Sequence, residues 1–264
     1  MSLGHRELTD VVGELAVVLP GSRLEKLNSP SGSDCQMVLR GKGQNRLLLI
    51  DLEPGRTRMH LIEDKLPAPP RPPGWVMKCR EEIGAAFLSA VSVVGDDRIV
   101  RLDFERPRSA PRSLLAELFG RSGRLLLLDE EQVVILPLIG RATPGVTYVA
   151  PRPGGSPSAK SRFGDPDPAS LAVNRAVATH YGAIRERGEI EARLRQLARF
   201  SRREVKKASG LLKKLETDLA KGAAAGELSR KAEALKSQLA SVKRGMKSVE
   251  LTDYADPAGG KLRV

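Results

Sequence analysis

The sequence predicts an α+β domain with a mostly antiparallel sheet, followed by an all-α antiparallel coiled-coil hairpin. Three observations carry that reading. Short apolar runs of strand length, separated by turn residues, fill much of residues 1–150. A stretch rich in Pro, Gly and Ser then replaces all hydrophobic periodicity over 151–169, as a flexible linker does. Beyond it, across 170–252, aliphatic residues recur every three or four positions, the spacing of a helix–helix seam. The last segment, 253–264, reads as the start of a further β-rich unit.

Each element of the first domain has a local cause. Leu8, Val11, Val12, Leu15 and Leu19 fall on one helical face, and Pro20-Gly21 stops that helix. Gln36–Arg40 and Arg46–Leu52 are strand-like, and the turn-prone Gly41–Asn45 joins them as a hairpin. Pro67 to Pro73 holds a stiff, extended connection. A helix over Gly74 to Ala90 follows, with Val76, Met77, Ile83 and Phe87 inward. Ile99–Phe104 reads as a strand, and Ser113–Phe119 as a short helix stopped by Gly120. Arg124–Leu128 and Gln132–Leu136 make a second hairpin around Asp129-Glu130-Glu131.

In the helical region, Leu171–Tyr181 fits one short helix. From Glu189 to Leu219 the seam runs through Ile190, Leu194, Leu197, Val205, Ala208, Leu212, Leu215 and Leu219, with Ser201 completing the register. Lys221–Gly226 contains two glycines and three alanines and is the expected hairpin tip. Leu228, Ala232, Leu235, Leu239, Val242, Met246 and Val249 repeat the spacing in a second arm. An isolated arm is marginal in water, so the two are expected to pair with each other.

Composition narrows the function. The net charge of +12 points to a polyanionic partner, nucleic acid or an anionic surface. Between Glu189 and Glu250 stand sixteen lysines and arginines against eight acidic residues, so most of the excess lies on the expected hairpin. Arg199, Arg202, Arg203, Lys206, Lys207, Lys213, Lys214, Arg230 and Lys231 are the candidate basic arm for RNA or the ribosome. Such an arm would track phosphates, with an affinity that falls steeply in salt. The competing reading is a solvated flank of a coiled-coil seam, but such flanks are normally balanced by Glu. An aromatic content of 3% speaks against a base-stacking surface.

Other classes lose ground. Cys35 and Cys79 make neither a disulfide framework nor a four-ligand zinc site, and read as free thiols of a cytosolic protein. Met1 to Asp10 has no apolar core of a signal peptide, and no stretch approaches about 18 apolar residues. The protein is therefore expected in the cytoplasm, off the membrane. His5, His60 and His180 lack metal-ligand spacing, and no phosphate loop, nucleophile elbow or dinucleotide fingerprint occurs. No catalytic residue, metal or cofactor is expected, and the chain reads as a non-enzyme. Asp96-Asp97-Arg98 precedes a strand, where an Asp–Arg pair braces a turn as readily as it serves a partner.

A series of short matches adds to this. Glu14-Leu15 is followed by Gly21-Ser22-Arg23-Leu24-Glu25-Lys26-Leu27 and Arg58-Met59-His60. Then come Met77-Lys78-Cys79-Arg80, Gly95-Asp96-Asp97-Arg98-Ile99-Val100 and Leu115-Ala116-Glu117-Leu118-Phe119-Gly120. Leu127-Leu128-Asp129 and Pro144-Gly145-Val146-Thr147-Tyr148 close the domain. In this order the residues resemble the N-terminal domain of the NFACT family, which includes bacterial FbpA-like fibronectin/fibrinogen-binding proteins, RqcH and eukaryotic NEMF. Lys243-Arg244-Gly245-Met246-Lys247-Ser248-Val249 resembles the end of that family's coiled-coil hairpin. Asp253-Tyr254 and Gly260-Lys261-Leu262-Arg263-Val264 resemble the β-rich segment after it.

The resemblance implies a ribosome-associated quality-control factor that binds obstructed large ribosomal subunits and tRNA and supports template-free tailing of stalled nascent chains. The family's tRNA-associated Asp-Arg pair falls on Asp97 and Arg98, and a further acidic residue corresponds to Glu7. The first domain is also similar in fold to the N-terminal domain of formamidopyrimidine-DNA glycosylases. Their nucleophile is an N-terminal proline; residue 2 here is serine, so that activity is not carried over. The family's helix-hairpin-helix module has no counterpart other than the 151–169 linker, and the chain stops before the family's C-terminal domain. It is expected to be a fragment. Two alternatives stay open: a generic basic coiled-coil nucleic-acid-binding protein, and a surface adhesin for fibronectin or fibrinogen.

Overall fold

The computed structural model describes residues 2–151 and 161–264 and divides them into two units, Met1–Glu186 and Arg187–Val264. In the first unit, helix α1 (His5–Val18) precedes four strands, β1 (Ser22–Asn28), β2 (Asp34–Gly41), β3 (Gln44–Asp51) and β4 (Arg58–Ile62). Helix α2 (Gly74–Ile83) leads to five more, β5 (Phe87–Val93), β6 (Ile99–Glu105), β7 (Arg112–Glu117), β8 (Arg124–Leu128) and β9 (Val134–Ile139). All nine form one sheet in the order β4-β3-β2-β1-β5-β6-β7-β8-β9. It is two antiparallel meanders sewn together where Ser22 and Arg23 of β1 pair with Leu88 and Phe87 of β5. Bulges sit on both sides of that join, in β1 at Leu24/Lys26 and in β5 at Leu88/Ala90, and such bulges increase local twist.

Strand alternation sorts the side chains. Met37, Leu39, Leu48, Ile50, Met59, Leu102, Leu114 and Leu127 face the main core, which α1 closes with Leu8, Val11 and Leu15. Ile99, Leu115, Leu126, Leu128 and Val134 face the other way, into a smaller core with Phe119, Ala142 and Tyr148. Being buried on both faces, Leu125–Leu128 can be an unbroken apolar run. Cys35 and Cys79 are buried free thiols, and burial raises the pKa of each, Cys79 to about 12.

Several expectations are corrected here. Ser113–Phe119 is not a helix: Arg112–Glu117 is β7, paired with β6 and β8 along its length. Its Leu-Leu-Ala-Glu composition favours helix, but two-sided pairing and burial override local propensity. The helix expected to Ala90 ends at Ile83, where Gly84 and Ala85 (φ 60°) turn the chain into β5. Val76 and Ile83 are buried as expected, whereas Met77 and Phe87 are exposed. β1 and β4 were not anticipated, since neither shows clean alternation in sequence.

The main correction concerns the helical region. No antiparallel coiled-coil hairpin forms: α3 is one continuous helix, Ala172–Ser237, of 66 residues. It runs straight through Lys221–Gly226, the expected tip. Two isolated glycines cost about 1 kcal/mol each relative to alanine and do not break a helix, and Ala223–Ala225 between them are the strongest helix formers. No proline interrupts the segment. The seam residues Leu194, Leu197, Leu212, Leu215 and Leu219 are solvent-exposed. After Ser237 come a short 3-10 turn (Leu239–Ser241) and a small hairpin of β10 (Glu250–Thr252) and β11 (Lys261–Arg263). Gln238 holds β10 through Nε2 to the Thr252 carbonyl, 2.8 Å, and through Oε1, which accepts from Thr252 N at 3.1 Å. Of the linker expected over 151–169, residues 152–160 lie outside the described residues.

Candidate nucleic-acid interface

Glu7 sits in the first turn of α1, nearly buried, and is held from two sides. Its Oε2 accepts from Gly4 N at 2.8 Å, and Arg162 donates Nε to Oε1 at 2.6 Å and Nη2 to Oε2 at 2.8 Å. Burial alone would raise the carboxyl pKa; the hydrogen bonds from Arg162 and Gly4 outweigh it and hold Glu7 below the ordinary carboxylate range. Arg162 also donates Nη2 to the Ser2 carbonyl at 3.1 Å. From Ser2 a chain of bonds continues: Thr57 N donates to Ser2 Oγ, Thr57 Oγ1 to the Leu118 carbonyl, and Leu118 N to the Arg98 carbonyl. Glu7 and Arg98 are thus joined through backbone and Thr57, without touching one another.

Asp97 and Arg98 form the turn between β5 and β6. Asp97 Oδ1 accepts the Arg98 backbone N–H at 2.7 Å, while the Arg98 guanidinium lies 3.9 Å from it. Both side chains are partly exposed, and the carboxylate braces the turn.

Beside this turn is a network that sequence reasoning missed. Glu117, buried in β7, lies directly opposite Arg124 in β8. Arg124 donates Nε and Nη2 to its two carboxylate oxygens at 2.5 and 2.7 Å, and Tyr148 Oη donates to Oε1 at 2.8 Å. The fork–fork hydrogen bonds raise the Arg124 pKa. Burial and the Glu117 bond raise that of Tyr148, with Asp97 among the charges acting on it. The signal was the Glu117/Arg124 cross-strand register, invisible while 113–119 read as helix.

A second buried carboxylate fixes the start of α3. Glu14 of α1 accepts from the backbone N–H groups of Asp167, Val173 and Asn174, each at 2.9 Å, and from Asn174 Nδ2 at 2.8 Å. It caps the helix from another element, satisfying donors that a helix leaves open at its N-terminus. Asn174 Oδ1 in turn accepts Leu61 N on the edge strand β4.

The candidate basic residues of the second unit all lie on α3. Arg199, Arg202, Arg203, Lys206, Lys207, Lys213 and Lys214 are exposed, and recur at helical spacing along one side. Among the described residues none of these seven is in an ion pair, whereas Lys231 meets Glu227 at 3.0 Å and Arg230 meets Asp253 at 2.5 Å. Among the described residues no cluster of three metal-ligating side chains occurs, and no helix is long and apolar enough to cross a membrane.

Comparison with known proteins places these features in a family context. Residues 7–152 and 157–264 match the NFACT N-terminal and middle domains. A Bacillus subtilis protein described as "Rqc2 homolog RqcH" is 28% identical over 146 residues, covering 53% of this chain and 26% of the relative. The "Ribosome quality control complex subunit 2" of Saccharomyces cerevisiae is 32% identical over 122 residues, 46% of this chain and 11% of that protein. The chain thus spans less than a third of the length of these curated relatives. The fold is similar to that of the N-terminal part of the fibronectin/fibrinogen-binding protein from Streptococcus suis, with a TM-score of 0.54 and 23% identity, over 58% of this chain and 62% of that one. The N-terminal domain of the fibronectin-binding protein PavA from Streptococcus pneumoniae gives 0.52 and 21%, over 72% and 82%.

Proposed function

The chain belongs to the NFACT family, and from that premise we propose that it is a ribosome-associated quality-control factor whose partners are the obstructed large ribosomal subunit and tRNA. The observation that carries the reading is the row of seven exposed arginines and lysines on α3, outside any ion pair among the described residues. Exposed cations of this kind hold a phosphate backbone by counterion release and position a protein without reading sequence. Rigid spacing suits the task, because a helix keeps its charges at fixed intervals along a phosphate track. In the first unit, Arg98 offers a partly exposed guanidinium on a turn braced by Asp97, and the Glu117–Arg124–Tyr148 network supports the neighbouring strands. We assign the tRNA contact to that turn and the ribosomal contact to α3, in support of template-free tailing of the stalled chain. The names of the curated relatives support the same biological setting.

Co-sedimentation with large ribosomal subunits, with and without peptidyl-tRNA, at about physiological salt tests this. Retention on obstructed subunits is expected, and neutralising Lys206, Lys207, Lys213 and Lys214 together should weaken it. Equal binding to any duplex or single strand at matched salt would leave only a generic nucleic-acid-binding protein.

A further inference from the structure

The apolar row of α3 is bare. Between Ile190 and Leu219, within the second unit, its large apolar side chains are each more than half exposed. A helix in water owes most of its stability to packing of such a face, so an uncovered row about 45 Å long calls for a partner. At about 100° per residue the row keeps to a strip roughly 80° wide. Arg199, Lys206, Lys207, Lys213 and Lys214 lie on the opposite side of the helix. A neighbour seated on the row therefore leaves the basic side open.

The row matches itself when reversed. An antiparallel register that sets Ile190 against Leu219 of a second copy also sets Leu194 against Leu215 and Leu197 against Leu212. The same register brings Ser201 to Ala208, so large meets large and small meets small. Val205 of each copy then falls beside the twofold axis. The flanks obey the same symmetry. On one flank Phe200 meets Leu211 and Arg193 meets Asp218, apolar on apolar and cation on anion. Among the described residues neither Arg193 nor Asp218 is already in an ion pair. On the other flank Ala198 meets Ser209, and Glu191 meets Glu216, a like-charged contact that Arg195, 3.9 Å from Glu191, offsets. A parallel pair would instead set Leu211 against Glu216 and place Arg193 and Asp218 opposite alanines, Ala198 and Ala223. Nine large apolar side chains per copy, each losing roughly 70 Å², withdraw on the order of 1,200 Å² in the pair, where stable interfaces begin. We propose that two copies of this chain pair through Ile190–Leu219 of α3 as an antiparallel coiled coil, with the basic side of each helix facing outward. Ribosome binding is not a premise of this pairing.

Sedimentation equilibrium of the 264-residue chain at about physiological salt tests it. The expected mass is twice 28.6 kDa, falling to the single-chain value on dilution. A single-chain mass at every concentration up to about 0.1 mM overturns the proposal, whether the row stays bare or residues 228–249 fold back on it. Leu197→Lys and Leu212→Lys, both at exposed positions, should each abolish pairing without altering thermal unfolding of the first unit. An undiminished dimer in either variant places the contact elsewhere and overturns the proposal. Arg193→Asp should weaken pairing about tenfold, and adding Asp218→Arg to the same chain should restore it, because opposite charges again face each other. Failure of that rescue overturns the antiparallel register and the proposal with it. Cys35 and Cys79 are buried, so introduced thiols report on the helix alone. Mild oxidation should join Leu194→Cys to Leu215→Cys in a mixture of the two variants and should not join Leu194→Cys to itself. The reverse pattern shows a parallel pair and overturns the proposal.

Discussion

Tyr148 and Arg124 hold a carboxylate that the β7–β8 hairpin buries, and single side chains like these carry the sharpest expectations. Tyr148→Phe removes the hydroxyl that donates to Glu117 and should destabilise the first unit by roughly 1.5–3 kcal/mol, read from urea denaturation. An unchanged midpoint would mean that Arg124 alone satisfies Glu117. His60 sets a pH dependence. Burial lowers its pKa from 6.5 to about 4, so the folded chain binds fewer protons than the unfolded chain between those values. Its contribution to stability is then complete above about pH 6.5 and declines as pH falls toward 4, by about 3 kcal/mol in all. Urea midpoints measured across that range should fall in the parent and fall less in His60→Asn. Parallel profiles would show that His60 takes up its proton alike in the folded and the unfolded chain. At this scale the sequence displayed Asp97-Arg98 as a motif, because both residues are adjacent and local. It concealed Glu117–Arg124–Tyr148 and Glu7–Arg162, whose members meet only once strands pair and distant segments dock.

Elements depend on who supplies their ends. Glu14→Ala strips three backbone donors and Asn174 of their acceptor at the start of α3, at a cost of about 2 kcal/mol or more. Hydrogen exchange at Val173 and Asn174 should quicken together; continued protection there would show that core packing alone seats the helix. The continuity of α3 has its own test. At Gly222 and Gly226 an added Cβ meets no neighbouring atom, so Gly222→Ala and Gly226→Ala should each stabilise a continuous helix by about 1 kcal/mol and raise its circular-dichroism signal. A loss of helicity would instead reveal a turn. The aliphatic register of 190–219 was legible as helix but not as hairpin, because a three–four spacing states that a face is apolar and not what covers it. In the same way Ser113–Phe119 looked helical in isolation, and only the pairing of Arg112–Glu117 with β6 and β8 made a strand there.

For the whole molecule, charge separates from stability. Replacing Lys206, Lys207, Lys213 and Lys214 with Gln should leave thermal unfolding of the first unit unchanged, since all four are exposed and lie in the second. The logarithmic salt slope of binding to ribosomal RNA should shrink by about three, if each cation releases its share of counterion. A slope that does not move would place the phosphate contacts elsewhere. The net charge, the candidate basic residues, the first helix and two hairpins of the sheet followed from composition and from patterns within a dozen residues, which are properties of neighbours along the chain. The joining of two meanders at Ser22 and Arg23, the capping of α3 by Glu14, the uninterrupted run to Ser237 and the burial of His60 were decided by tertiary structure. Each depends on groups that are far apart in sequence, and burial and hydrogen bonding between such groups are settled only when the chain has closed on itself.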